Sequence, residues 1–332
     1  LLVILLLCPA AGAQDIIELT VINPGARSLG FGGAFVALAD DATASYANPA
    51  GLMQLVRPEI SFEGRGWSDD PEGAASNVSG LGFASFVLPL RRLSLAVYGQ
   101  TLTSLEFPGG QIGETTVLIS DLMVVNAGFS VGWKVGESLS LGLGLTYLVG
   151  TFNFLGTSID PINPLYVVDD VSTQSGFNAG VLWDLSDSWA LGLAHRSGTD
   201  FDFGLSAQAE GKVRVTLPDV TAIGVRWRST GGRTTVTAEV ERLAGTEDRT
   251  RLHLGGELAF LKARPVIGLR AGVWRDPGSA ARTSLAQGLA PSEETTHTAA
   301  GVGFAFKRFQ LDFGADFSSA TTTYSVSGIV TF

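Results

Sequence analysis

The sequence predicts an all-β fold: a transmembrane antiparallel β-barrel of about fourteen strands, with an N-terminal hatch plugging its lumen. Three observations predict it. From Pro58 onward apolar residues alternate with polar or small ones in segments of about ten residues, the length at which a tilted strand crosses an outer-membrane apolar band of about 25 Å. Short links alternate with longer polar ones, as barrels with tight periplasmic turns and long external loops require. The chain is 45% hydrophobic and only 16% charged, yet past its N-terminus every apolar run is broken before it reaches the roughly 18 residues of a helical span.

Residues 1–13 form an apolar run ending in Ala11-Gly12-Ala13 and read as the latter part of a signal peptide, without initiator Met or basic start, cleaved near Ala13. Leu7 and Pro9 around the single cysteine, Cys8, argue against a lipoprotein site. A mature chain without disulfides then relies on a closed hydrogen-bonded wall. Residues 14–56 show no period of two and are the expected hatch, because a barrel of about fourteen strands has a lumen that needs a plug. Gly25, Gly30, Gly32 and Gly33 allow tight turns against an inner wall. Asp40 and Asp41 are placed to cap a short helix from Ala42 to Tyr46, which Asn48-Pro49 ends.

Residues 57–332 are the expected barrel. Its strands are predicted at 59–67, 80–88, 93–102, 122–135, 138–152, 175–185, 189–199, 218–228, 234–243, 249–260, 265–275, 296–307, 308–317 and 323–332. With both termini periplasmic, the longer links 68–79, 103–121, 153–174, 200–217, 244–248, 276–295 and 318–322 all fall outside. Trp67, Trp133, Trp183, Trp189, Trp227 and Trp274 lie at strand ends, where aromatic girdles sit, although alternation turns Trp274 inward. In 308–317, Phe309, Leu311, Phe313, Ala315 and Phe317 share the lipid face, while Gln310, Asp312 and Asp316 share the other. The same parity points Arg226, Arg228, Glu239, Glu241, Arg249, Arg251, Glu257 and Arg270 into the lumen. They would form a ladder of paired charges that serves as a polar pathway, a plug-binding wall or a solvated face.

A net charge of −10 without any basic run disfavours nucleic acid as a partner. The three histidines, His195, His253 and His297, stand apart, with His195 facing lipid and His253 the lumen. The sequence has no His-x-x-x-His pair or P-loop, and no enzyme, cofactor or metal site is expected. The acidic pairs Asp69-Asp70 and Asp169-Asp170 lack EF-hand spacing.

The stretch from Gly25 to Leu52, ending in Asn48-Pro49-Ala50-Gly51-Leu52, resembles the N-terminal hatch of the FadL-type outer-membrane transport family, including its PorV- and PorQ-like relatives. Leu217-Pro218-Asp219-Val220 leading into Gly224, Leu252-His253-Leu254-Gly255-Gly256-Glu257 and the terminal Phe332 add to the resemblance. It implies a hatched barrel of fourteen strands that passes hydrophobic small molecules, such as long-chain fatty acids or aromatic hydrocarbons, by gated passive diffusion. It implies lateral release into outer-membrane lipid at a kinked third strand, with Gly99, Pro108 and Gly109 as the candidate positions. Asn48, Pro49 and Ala50 would hold the hatch, and Phe332 would be read by the barrel assembly machinery. The resemblance equally admits a barrel that serves as partner in protein secretion, and a structural barrel remains a third alternative.

Overall fold

Each alternating segment pairs with its chain neighbour, and the last pairs with the first. The computed structural model describes residues 15–19, 21–69, 78–106, 110–112, 115–158, 165–204, 212–278, 294–319 and 321–332. The expected leader 1–13 and the candidate positions Pro108 and Gly109 lie outside the described residues. The strands in chain order are β1 (Asp15–Glu18), β2 (Glu59–Asp69), β3 (Val78–Pro89), β4 (Leu93–Glu106), β5 (Gly110–Ile112) and β6 (Thr115–Lys134). There follow β7 (Leu139–Ser158), β8 (Leu165–Asp184), β9 (Trp189–Arg196), β10 (Thr199–Gly204), β11 (Lys212–Leu217) and β12 (Asp219–Arg228). The last six are β13 (Thr234–Ala244), β14 (Asp248–Phe260), β15 (Val266–Asp276), β16 (Thr295–Ala305), β17 (Phe309–Phe317) and β18 (Thr321–Thr331).

Fourteen of these, β2–β4, β6–β9 and β12–β18, make one antiparallel wall, closed where β18 pairs with β2 and Thr331 lies opposite Glu59. Closure removes the free sheet edges that a bilayer would leave unpaired. The short β5 pairs with the outer part of β6. Side chains alternate as the pattern demands: Leu143, Leu145, Phe177, Ile223 and Phe313 are exposed on the outside, while Arg226, Glu239, His253, Arg270 and Asp312 are buried within. Trp133, Trp183 and Trp189 are exposed at the short-turn end, and Trp227 lies opposite Trp189. Trp274 is buried inward, its Nε1 donating to Asp316 Oδ2 at 2.7 Å; the Trp67 side chain lies outside the described residues.

The links differ from expectation in three places. Strands β6, β7 and β8 each run to 20 residues, taking up much of the expected loops 103–121 and 153–174, because paired strands can continue above the bilayer. The links 244–248 and 318–322 are tight, with β14 beginning at Asp248 after β13 ends at Ala244, and β18 at Thr321 after β17 ends at Phe317. The expected external loop 200–217 is a hairpin of β10 and β11, and β1 joins it in parallel on β11. Its apolar face, Phe201, Phe203, Val213 and Val215, is wholly buried. A side chain set that apolar is better covered by folding into the lumen than left in water.

Candidate functional site

Residues 21–55 lie inside the wall, as two short helices, α1 (Ala26–Gly30) and α2 (Ala44–Ala47), and a 3-10 helix over Pro49–Gln54. They approach so closely because the wall is glycine where they touch it. Gly132, Gly142 and Gly180 are cross-strand partners on β6, β7 and β8, Gly192 and Gly224 on β9 and β12. Gly255 and Gly272 pair on β14 and β15, Gly301 and Gly314 on β16 and β17. A Cβ on Gly142 would stand 2.2 Å from Ala50 N, and one on Gly272 2.3 Å from Gly32 N. Even a methyl group there would overlap backbone. Gly32 and Gly33 carry φ of 63° and 80°, a left-handed turn that admits glycine readily; Gly30 meets Gly301 Cα and Arg270.

Asn48 ties this inner segment together. Fully buried, it donates from Nδ2 to Val36 O at 2.8 Å and to Val181 O of β8 at 3.1 Å, while its Oδ1 accepts from Ala50 N at 3.2 Å. Pro49, at the start of the 3-10 helix, has no N–H to leave unpaired. Ser130 Oγ and Asn178 Nδ2 donate to Ser45 O from the wall at 2.7 and 3.1 Å. The expected capping is corrected in part. The helix begins at Ala44, so Asp41 accepts from Thr43 N at 2.9 Å just before it, whereas Asp40 turns away to Arg27 and to Arg228 Nη2 at 3.2 Å. Burial pushes the Asp40 carboxyl up, but Arg27, by charge and hydrogen bond, and Arg228 outweigh it and hold the group below its ordinary value.

The inward charges of β12–β17 serve both the wall and the segment inside it. Glu239 Oε2 accepts from Phe35 N and Val36 N, each at 2.7 Å, and His253 Nδ1 lies 2.7 Å from Gly32 O. Arg226 reaches Asp184 and the inner segment's Gln54 Oε1, both at 3.2 Å. Arg270 bridges Glu257 at 2.7 Å and Asp312 at 2.6 Å. Below them, toward the short turns, a recess of about 650 Å³ is lined by Arg27, Asp40, Arg57, Arg228 and Gln310 among others. Toward the outer end His253, Trp274 and His297 stack with ring centroids 5.4 and 3.8 Å apart. His297 sits between Thr295 Oγ1 at 3.0 Å and Asp316 Oδ1 at 2.6 Å. Asp316 is shared with Trp274 Nε1 and the indole covers the imidazole, so this trio clamps three strands. His195 faces outward, 2.9 Å from Thr221 Oγ1.

The opposite half of the lumen is apolar. Phe83, Tyr98, Leu122, Val124, Leu148 and Phe152 from the wall meet Leu19, Val21 and Tyr46 of the inner segment and Phe201, Phe203, Val213, Val215 and Leu217 of the hairpin. Gly150 makes room for the rings, since a Cβ on it would lie 2.9 Å from Phe201 and 3.0 Å from Phe203. Charge is kept to the hairpin's other face, where Arg214 pairs with Asp202 at 2.8 Å.

Beside this cluster the wall pairing is interrupted. β3 and β4 pair only from Pro89–Ser94 up to Phe83–Gln100; beyond that level β3 pairs with β2 alone and β4 with β6 alone. Both strands carry a bulge at the break, Gly82 on β3 and Leu102 on β4, a device that bends a strand away from its neighbour. One side-chain bond crosses it, Thr101 Oγ1 to Leu81 O at 3.0 Å. Gly99 is still in regular pairing with Ala84 and Ala127, so the irregularity lies beyond it on the same third wall strand. The sequence reading missed the hairpin and the glycine seat. Their signals were present: Asp200-Phe201-Asp202-Phe203 and Val213-Arg214-Val215 alternate as strands do, and glycines recur on one strand face. At the barrel seam, Phe332 N donates to Pro58 O at 3.1 Å.

Residues 93–243 match the outer membrane protein transport protein family (OMPP1/FadL/TodX). No curated protein matches the chain in sequence. Among solved structures, the toluene transporter TbuX of Ralstonia pickettii superposes with a TM-score of 0.73 at 16% identity, covering 94% of this chain and 99% of that one. The toluene transporter TodX of P. putida gives 0.70 at 14%, over 94% and 99%. A FadL homologue of Pseudomonas aeruginosa gives 0.71 at 12%, over 96% and 100%. A fourteen-strand wall shared nearly end to end with these proteins gives the chain their barrel fold, and the family match runs from β4 into β13.

Proposed function

We propose that the protein is an outer-membrane channel for the uptake of hydrophobic small molecules of fatty-acid or hydrocarbon type, working by passive diffusion. Residues 14–56 act as its hatch, held by Asn48, Pro49 and Ala50 and by the turn at Gly30, Gly32 and Gly33. One observation carries this reading: the lumen's apolar, aromatic-lined half lies directly against the break between β3 and β4. A molecule there exchanges one apolar environment for another when it leaves sideways into lipid, a path with no aqueous step to cost it about 25 cal/mol per Å². The charged half and the recess near the short turns offer no such route.

In this reading the exposed apolar belt meets outer-membrane lipid, and the C-terminal strand with the Phe332 that follows it is what the assembly machinery engages. The protein is a channel and not an enzyme: His253 and His297 are occupied in holding the hatch and the strands. A role as a partner in protein secretion draws no support from the geometry.

A staple across the break tests the proposal. In a Leu81→Cys, Thr101→Cys variant reconstituted in vesicles, oxidation should cut uptake of a labelled fatty acid or toluene at least fivefold, and reduction should restore it. Uptake indifferent to a quantitatively formed disulfide would refute lateral release.

A further inference from the structure

Among the charged residues of the lumen, Glu63, Arg226, Arg249 and Arg251 have polar atoms without a hydrogen bond, and each of these residues has an ion-pair partner. On the apolar half the position is different. At the last level where β3 and β4 still pair, one cross-strand row runs Phe83, Gln100, Asn126, Leu148 on β3, β4, β6 and β7. Its ends are apolar and its centre is a pair of carboxamides. Both are more than nine-tenths buried, at 6% and 5% exposure, and no partner reaches Gln100 Oε1 or Asn126 Oδ1. Directly opposed side chains on antiparallel strands have Cβ atoms about 5 Å apart, so the two groups present their polar atoms to one small region. Tyr98, next along the same face of β4, lies across Gly128 of β6, the strand of Asn126; its buried hydroxyl is also without a partner.

Leaving such groups unpaired costs about 1–3 kcal/mol each, and apolar side chains of equal size would have avoided it. We propose that Gln100 and Asn126, with the Tyr98 hydroxyl, form a hydrogen-bonding subsite for the neutral polar head of an otherwise apolar ligand, an alcohol or a phenol. The inference rests on the channel reading above and narrows its substrate class. A hydroxyl can donate to either carboxamide oxygen and accept from Tyr98 or from an amide N–H. A carboxylate cannot donate, and it would bring a charge into a row with none to meet it. The guanidinium of Arg196 is engaged over the Tyr46 ring at 5.0 Å and with Asn23 and Glu241 at 3.1 and 3.5 Å.

Toluene, p-cresol and 4-methylbenzoate differ only in the head group and are the probes. Binding of each radiolabelled compound to the full chain in lipid nanodiscs, less that to empty discs, should rank p-cresol about tenfold tighter than toluene, the worth of one net hydrogen bond, with 4-methylbenzoate weakest. In Gln100→Met with Asn126→Leu, which keeps side-chain size, p-cresol should fall to the level of toluene while toluene binding stays. Should that pair fail to fold as judged by heat-modifiable gel mobility, Gln100→Met and Tyr98→Phe singly should each narrow the preference at least threefold. Equal binding of p-cresol and toluene, a preference that survives the substitutions, or 4-methylbenzoate binding best would overturn the subsite and leave the channel reading standing. Failure of all three probes to bind would overturn both.

Discussion

The two halves of the lumen hold the same inner segment by different means. Around β12–β17 glycines also seat the segment, but the side-chain bonds come from ionisable groups: Glu239 on two backbone N–H groups, His253 on Gly32 O, Arg228 on Asp40 through its link to Arg27. Around β6–β8 the contacts to residues 45–50 are neutral, made by Ser130, Asn178 and Val181 O and by backbone pressed onto Gly132, Gly142 and Gly180. Charged hydrogen bonds are strong and directional but need a polar surround, so gathering them on one side leaves the other dry. Segregation therefore does two jobs: it fixes the inner segment and it keeps an apolar compartment beside the wall break.

Perturbing each half separately shows whether they are independent. The largest effect is expected from Phe203→Ala, which removes a wholly buried ring and should destabilise the hairpin by about 3–5 kcal/mol. Amide exchange of β10 and β11 should speed up by orders of magnitude while residues 32–36 keep their protection; an unchanged hairpin would mean that it does not depend on the apolar half. Gly142→Ala comes next, since its methyl meets Ala50 N and Pro49 C and overpacking costs about 1–3 kcal/mol. Single-channel recordings should then show conducting bursts that the parent barrel lacks, and a silent variant would show that the tight seat is dispensable.

Glu239→Gln replaces a charged acceptor with a neutral one, at about 1–2 kcal/mol. Exchange at Phe35 and Val36 should quicken while residues 45–50 hold. If both parts loosen together, the inner segment moves as one body. Acid should give the smallest change. Because Asp40 titrates below its ordinary value, its contribution is complete above about pH 4 and is lost as pH falls through the lower value in the folded protein. Bursts should thus appear in the parent only as pH falls below the ordinary carboxylate range, and Asp40→Asn should show them at neutral pH; a variant as quiet as the parent at pH 7 would remove Asp40 from the contacts that hold the inner segment.

All fourteen wall strands were legible because lipid on one side and a filled lumen on the other enforce a strict period of two, as in Phe309 to Phe317. Asn48-Pro49 was legible because few residues end one helix and begin another while bridging to a wall. The hairpin was not: Asp200 and Asp202 made it look like external loop, and only the tertiary fold shows that the intervening phenylalanines turn inward. Nor was the break beyond Gly99. A bulge is a mismatch of register between two strands, and Leu102 has nothing in its own identity to announce it. The carboxamide pair was equally hidden, since it depends on Gln100 and Asn126 being brought opposite one another.

Three adjacent strands of 20 residues have a consequence for the outline of the whole barrel. At about 3.3 Å per residue and a tilt of about 40° they climb about 50 Å along the axis, twice the height of the apolar band. The strands on the far side, 9 residues in β17 and 11 in β18, stop near the interface. Among the described residues the wall is therefore cut obliquely, like the nib of a quill. In the channel reading, a solute arriving over the low side would meet the taller sheet of β6, β7 and β8 as a backstop.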